Sequence, residues 1–134
     1  MDLSDFRVIP VVVLKDAARA AGLGDALVAG GLPVAEVTFR TTAAAEAIRI
    51  MSDNEGLLVG AGTVVSAAQV DQAVAAGAKF IVSPGLSRPV VEQARQHGVP
   101  VLPGAVTPSE IMAALELGLT TLKFFPAKVY GGIS

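Results

Sequence analysis

The chain has 134 residues, 52% of them hydrophobic, and a mean hydropathy of +0.61. This length and composition suit one domain with a real core and exclude a disordered protein. The 10 basic and 12 acidic residues form no basic cluster, and aromatic residues make up only 4%. We therefore expect no nucleic-acid or membrane partner, because neither a basic surface nor a base-stacking surface is present.

Cysteine is absent, which excludes disulfides and thiolate metal sites and fits a reducing compartment. His97 is the single histidine, so no histidine cluster can hold zinc, and we expect neither a metal nor a cofactor. The acidic start Met1–Asp5 precedes no signal-type apolar run, and no apolar run reaches membrane-spanning length. These features predict a cytoplasmic protein with one domain over residues 1–134.

Short apolar runs alternate with alanine-rich segments along the whole chain. The apolar runs predict six strands, at 8–14, 34–39, 57–63, 80–83, 101–102 and 121–127. The segments between them predict five helices, at about 16–30, 41–51, 66–76, 87–98 and 107–118. The expected helix N-caps are polar residues, namely Asp16, Thr41 or Thr42, Ser66, Ser87 and Thr107. Thr107 and Glu110 also have the spacing of a capping box.

The spacing of the strands indicates the fold class. Successive strands begin about 20 to 26 residues apart, the length of one βα unit with short loops. Six such units in a row predict a parallel α/β sheet, and both a doubly wound sheet and a (β/α)8 barrel fit this pattern. The Gly60-Ala-Gly62 stretch only loosely matches a dinucleotide fingerprint, because its third glycine is missing.

Two ionisable residues occur where the strand pattern calls for apolar ones: Lys123 in the sixth strand and Glu36 in the second. A buried lysine is either paired with an anion or converted to a neutral amine, and a neutral amine on a rigid strand can form a Schiff base. A buried structural ion pair is the alternative interpretation.

Side-chain alternation adds further polar groups to these two. Glu36, Thr38 and Arg40 share one strand face, Ala61 and Thr63 share a second, and Thr121, Lys123 and Phe125 share a third. If these faces point into a barrel, an acid, an amine, a guanidinium and a hydroxyl converge at the carboxyl ends of the strands. This set suits a keto-acid, with Lys123 attacking the ketone, Arg40 binding the carboxylate and Glu36 moving protons. Arg40 as a solvated charge and Thr63 as ordinary strand packing stay open.

Five ordered segments resemble a known family. They are 36–41 (EVTFRT), 60–64 (GAGTV), 83–85 (SPG), 103–104 (PG) and 123–127 (KFFPA), and they are similar to the class I bacterial aldolases of 2-keto-3-deoxy-6-phosphogluconate and 4-hydroxy-2-oxoglutarate. The resemblance implies a (β/α)8 barrel, usually trimeric, that releases pyruvate and an aldehyde such as glyceraldehyde 3-phosphate or glyoxylate. It implies a Schiff-base role for Lys123 and an acid/base role for Glu36. It further implies that Arg40 and Thr63 bind the substrate carboxylate and that Pro84 and Phe125 line the pocket.

The family continues for two βα units beyond the lysine strand, so we expect an incomplete barrel of about six units. Those two units carry the family's phosphate site. Two other functions stay open: a barrel enzyme that binds a phosphorylated metabolite without covalent catalysis, and an inactive or association-dependent piece of a barrel.

Overall fold

The computed structural model describes residues 1–133, in which strands and helices alternate. The five strands are β1 (Val11–Val12), β2 (Val34–Thr38), β3 (Leu58–Gly62), β4 (Ile81–Ser83) and β5 (Val101–Pro103). The five α-helices are α1 (Ala20–Ala29), α2 (Ala44–Ser52), α3 (Ala67–Ala76), α4 (Arg88–Gln96) and α5 (Pro108–Glu116). Single 3-10 turns occur at Leu3–Asp5 and Ala17–Arg19. Between residues 1 and 133, no helix is both long and apolar enough to cross a membrane.

The strand order decides between the two architectures that fit the sequence. The five strands form one sheet in the order β1-β2-β3-β4-β5, and every neighbouring pair is parallel. Crossovers between parallel strands are right-handed, so a sheet whose order never reverses carries all its helices on one side. A doubly wound sheet must reverse its order to carry helices on both sides. The sheet is therefore of the barrel type, and its other side is the barrel interior.

Apolar side chains pack on both sides of the sheet. The interior cluster consists of Val34, Leu58, Phe80 and Val82, with partly buried residues that include Phe6, Ile9 and Leu102. The strand residues between them face the helices, where a larger cluster includes Val37, Ala61 and Ile81. This alternation confirms that both faces of the strands are apolar, as buried parallel strands require.

The first strand is shorter than the predicted range 8–14. Only Val11 and Val12 pair with β2, in register with Glu36 and Val37. Past Val12 the backbone ladder is replaced by threonine side chains. The Thr38 hydroxyl donates to the carbonyl of Val12 at 3.1 Å, and the Thr41 hydroxyl donates to the carbonyl of Leu14 at 2.5 Å.

The predicted sixth strand over 121–127 is reduced to a single bridge between Lys123 and Gly104. The Lys123 amide donates to the Pro103 carbonyl at 2.9 Å, and the Ala105 amide donates to the Lys123 carbonyl at 2.9 Å. The prediction of a full strand was therefore wrong, but the backbone of Lys123 is still fixed to the edge of β5.

Four of the five predicted helix starts are confirmed. The side chains of Asp16, Ser66, Ser87 and Thr107 each accept a hydrogen bond from a backbone amide of the following turn. The predicted cap at Thr41 or Thr42 was wrong, because α2 follows Ala43 without a side-chain cap. Thr41 instead uses its hydroxyl on Leu14, which no local pattern reveals.

Candidate active site

Glu36 lies in the middle of β2 and points into the barrel interior. Its register partner on β3 is Gly60, whose missing side chain makes room for the ring of Phe80 in the interior cluster. Residues in register on parallel strands share a face, so Glu36 is on the interior side as well. Glu36 is only 5% exposed. A carboxyl group here is almost fully removed from water.

The amine of Lys123 approaches this carboxyl group from the far edge of the sheet. Its Nζ lies 3.7 Å from Glu36 Oε1, which is within ion-pair range but beyond a direct hydrogen bond. The side chain of Lys123 is 29% exposed, whereas that of Glu36 is 7% exposed. The acid is thus the buried member of the pair, and the amine is the member that a solute can reach.

Phe125 lies beside this amine. Lys123 Nζ is 4.7 Å from the centroid of the Phe125 ring, within the range of a cation–π interaction. Phe125 is itself partly buried. The predicted shared face of Lys123 and Phe125 thus brings an aromatic wall against the amine.

The ionisation of Glu36 is governed by opposing effects. Burial is the largest and raises the pKa of the carboxyl group above its ordinary value of 4.5. The positive charges of Lys123 and Arg40 act in the opposite direction without cancelling it. Oε1 of Glu36 is buried and has no hydrogen-bond partner among residues 1–133. A carboxyl group with a raised pKa and a free oxygen can take up or release a proton close to the Lys123 amine.

Arg40 lies two residues past the end of β2 and is exposed, while its charge still lowers the pKa of Glu36. Pro84, which follows β4, is half-buried, and its carbonyl packs against Gly104. Both residues therefore lie at carboxyl ends of strands, where barrel enzymes carry their sites.

Ala61 and Thr63 were expected to point into the barrel interior on one shared face. For Ala61 this expectation was wrong. Ala61 packs on the helix side of the sheet. Thr63 follows the last residue of β3 and has a φ of 55°, so the alternation of the strand does not extend to it. Its side chain is half-buried, and its hydroxyl makes no hydrogen bond within the described part of the chain.

Two further groups at this end of the sheet were not assigned from the sequence. Thr38 is fully buried between Glu36 and Arg40, and its hydroxyl is used on the Val12 carbonyl of β1. Gly62 lies against the Glu36 carboxyl group, where any side chain would collide with it. No sequence signal alone could have found this contact, because it depends on the alignment of β2 and β3.

His97, in contrast, lies far from this chemistry. It caps the C-terminus of α4, and its Nε2 is 2.6 Å from Asp71 Oδ1 on α3. Gln93 donates to the same carboxylate at 2.6 Å. Together the two hydrogen bonds lower the pKa of Asp71 and tie α3 to α4.

Comparisons of sequence and fold show which known proteins the chain is similar to. A 2-dehydro-3-deoxy-phosphogluconate aldolase of Treponema pallidum is 50% identical over 131 residues, which are 97% of this chain and 62% of that protein. The crystal structure of the 2-keto-3-deoxy-6-phosphogluconate aldolase of Zymomonas mobilis ZM4 with 3-phosphoglycerate superposes with a TM-score of 0.89. The match is at 48% identity and covers 93% of this chain and 60% of that chain.

A structure of KDPG aldolase from Legionella pneumophila, with pyruvate captured as a covalent carbinolamine intermediate, superposes with a TM-score of 0.88. The match is at 42% identity and covers 93% of this chain and 61% of that chain. The chain thus spans about three fifths of the length of the relatives it matches. These structural neighbours confirm the predicted fold class, a (β/α)8 barrel of which this chain has part.

The family model described as "Aldolase: KDPG and KHG aldolase" matches residues 2–134. Nearly the whole chain therefore agrees with one family in sequence and in fold. The chain belongs to the KDPG and KHG aldolase family.

Proposed function

We propose that this chain carries the imine-forming site of a class I aldolase. The substrates would be 2-keto-3-deoxy-6-phosphogluconate, cleaved to pyruvate and glyceraldehyde 3-phosphate, and 4-hydroxy-2-oxoglutarate, cleaved to pyruvate and glyoxylate. The observation that carries the proposal is the 3.7 Å approach of Lys123 Nζ to the buried Glu36 carboxyl group. The relative from Legionella pneumophila, which captured pyruvate as a carbinolamine, supports the same chemistry.

The first half of the reaction joins Lys123 to the substrate. The neutral amine adds to the ketone carbon to give a carbinolamine, and loss of water leaves a protonated imine. Glu36 takes the proton that the nitrogen gives up and returns it to the departing hydroxyl group. The partial exposure of Lys123 lets the ketone reach the amine, and the burial of Glu36 keeps its proton available.

The second half cleaves the carbon–carbon bond. Removal of the proton from the hydroxyl group of the substrate releases the aldehyde, and the electrons of the broken bond move to the imine to form an enamine. Protonation of the enamine carbon and addition of water then release pyruvate and the free amine. Glu36 is the group near Lys123 that can exchange these protons, because its Oε1 has no hydrogen-bond partner among residues 1–133.

Binding of the substrate is assigned to the residues around this pair. Arg40 carries a positive charge at the carboxyl end of β2, where a bidentate hydrogen bond to the keto-acid carboxylate is possible. We assign a hydrogen bond to the same carboxylate to Thr63, and the walls of the pocket to Pro84 and Phe125. The contact of Phe125 with the Lys123 amine supports its place in the pocket.

We further propose that the chain acts in the cytoplasm as one barrel domain and as a homotrimer. The absence of cysteine supports a reducing compartment. The trimer rests on the family resemblance, and sedimentation analysis at several protein concentrations measures it. A monomer throughout would contradict this assembly.

The test of the proposed function traps the imine. The chain is incubated with pyruvate and borohydride, which reduces an imine to a stable amine, and the modified residue is identified by peptide mass spectrometry. We expect a pyruvyl adduct on Lys123 that Lys123→Ala abolishes, with a fall in yield of at least about 10³-fold.

The matched control is Lys79→Ala. Lys79 is exposed and precedes β4, at the opposite end of the sheet, so its removal leaves the adduct unchanged. A folded sample that forms no adduct would overturn the proposal for this chain and favour a barrel without covalent catalysis. Equal labelling of many exposed lysines would overturn it too, because the amine of Lys123 would then have no special reactivity.

A further inference from the structure

Gly62 ends β3 directly against the carboxyl group of Glu36. We propose that Gly62 is the positioning residue for Glu36: its missing side chain leaves the space that the carboxyl group occupies and thereby holds this group beside Lys123. The inference rests on the proposed function for its catalytic meaning. The contact itself can be tested without any substrate.

A side chain at position 62 would lie far closer to Glu36 than van der Waals contact allows. A Cβ atom added there would lie 2.0 Å from Glu36 Oε1, 2.6 Å from its Cγ and 2.7 Å from its Cδ. The three nearest atoms to this point all belong to Glu36. The carboxyl group therefore rests on bare backbone, in the volume that any other residue at position 62 would fill.

Backbone conformation does not require a glycine here. Gly62 is an ordinary strand residue, and its φ lies outside the positive range in which six other glycines of the chain are found. An alanine could adopt the same backbone without strain. The reason for glycine at position 62 is therefore steric and concerns one neighbouring side chain.

Gly60 provides an internal comparison on the same strand. It faces the same interior, but a Cβ atom there would meet the ring of Phe80 at 2.3 Å. The two glycines thus have different partners, a buried ring for Gly60 and an ionisable group for Gly62. The absence of a side chain at Gly60 therefore serves the packing of the core, whereas the absence at Gly62 serves the placement of the acid.

A methyl group at position 62 would displace either the β3 backbone or the Glu36 side chain, whichever moves more easily. β3 pairs with β2 on one side and β4 on the other, so its backbone is held in place. The Glu36 carboxyl group is the end of a side chain with rotatable bonds, and it will move before the sheet does. A methyl group at position 62 therefore pushes Oε1 away from its place 3.7 Å from Lys123 Nζ.

The first test is a double-mutant cycle on thermal unfolding of the full chain. Gly62→Ala is expected to lower Tm by roughly 5 °C or more, the range for one methyl group forced into a filled site. In a Glu36→Ala background the atoms that collide are gone, so Gly62→Ala should lower Tm by less than about half as much as in the wild type. Gly60→Ala is the comparison: its methyl group meets the Phe80 ring, so its loss should change less between the two backgrounds than the loss from Gly62→Ala. An equal loss from Gly62→Ala in both backgrounds would overturn the proposal.

The second test follows the carboxyl group by NMR titration of Glu36. In Gly62→Ala the carboxyl group is displaced, and its pKa is expected to change, because both its burial and its distance from Lys123 determine that pKa. A role that was only structural would leave this titration unchanged in the folded fraction. An unchanged pKa of Glu36 in folded Gly62→Ala would overturn the proposal.

The third test separates the two steps of the chemistry. In D₂O, the enamine formed from pyruvate takes up deuterium at its methyl carbon, and this exchange needs the acid/base group. At long incubation, when the yield of trapped adduct no longer depends on how fast the imine forms, Gly62→Ala is expected to keep the Lys123 adduct but to exchange deuterium at least about 10-fold more slowly. A proportional loss of both would contradict a positioning role. If the wild-type chain forms no adduct, the proposed function fails, while a coupling in the double-mutant cycle still supports the contact of Gly62 with Glu36.

Discussion

The acid and the amine of the candidate site are exposed to different degrees, and this difference fits the roles proposed for them. Glu36 is held in an apolar interior that raises its pKa, while Lys123 lies at the open edge of the sheet against the ring of Phe125. An ion pair of this kind contributes little to stability, because removing both charges from water opposes their attraction. We infer that the pair is kept for its chemistry.

The raised pKa of Glu36 predicts how stability depends on pH. The folded chain binds the proton more tightly than the unfolded chain, so this group contributes stability at low pH that is lost as pH rises through the folded-state pKa. Glu36→Gln is neutral at every pH and lacks this dependence. We expect the variant to gain stability relative to the wild type as pH rises above 4.5, measured by denaturant unfolding across the pH range. A relative gain by the wild type would mean that attraction to Lys123 outweighs burial.

The sequence predicted the pairing of Glu36 with Lys123 because a charge inside an apolar strand is costly unless it has a partner. It could not predict the surroundings of Thr63. The period of two holds only within a strand, and the positive φ of Thr63 turns the chain just after β3 ends. The contact of the Glu36 carboxyl group with Gly62 could not be predicted from the sequence either, because it depends on how two neighbouring strands are aligned.

At the scale of the elements, local signals were reliable and distant ones were not. The starts of α3, α4 and α5 follow from a serine or threonine whose side chain binds an amide three residues later. The start of α2 fails this rule because Thr41 bonds to Leu14 of another segment. The sixth strand fails for a related reason, since the length of a strand depends on its neighbours and not only on its own residues.

The capping box of α5 provides the prediction at this scale. Thr107 accepts from the Glu110 amide at 3.2 Å, and Glu110 accepts from the amides of Val106 at 2.8 Å and Thr107 at 3.2 Å. Thr107→Ala should lower the free energy of unfolding by about 1 kcal/mol. Exposed Thr42, which caps no helix, is the control, and Thr42→Ala should change it by less than about 0.5 kcal/mol. Equal effects at both positions in denaturant unfolding would contradict this account.

At the scale of the whole molecule, the outer edge of β1 has no partner strand among residues 1–133, and the barrel interior is covered only in part. Val11 is in register with interior-facing Glu36 but is 50% exposed, and Val13 is 45% exposed. Val12 and Leu14, which alternate with them, pack on the helix side. An edge strand with exposed apolar residues is a surface for association.

We therefore expect the chain to associate through β1. Light scattering and sedimentation should give a mass above that of one 13.6 kDa chain, rising with concentration. Replacing Val11 and Val13 by serine should weaken this association. Val12 packs on the helix side, so Val12→Ser should instead lower the stability of the chain without dissociating the assembly. A mass that is the same in every variant would show that assembly uses a different surface.

The order of the strands in the sheet also bears on when the candidate site forms during folding. Each strand pairs with the unit just before it, whereas Glu36 and Lys123 meet across the interior from β2 and the far side of β5. Contacts between residues far apart in sequence close the largest loops and form late in folding. We therefore predict that a refolding chain regains its helices before the Lys123 amine meets the Glu36 carboxyl group.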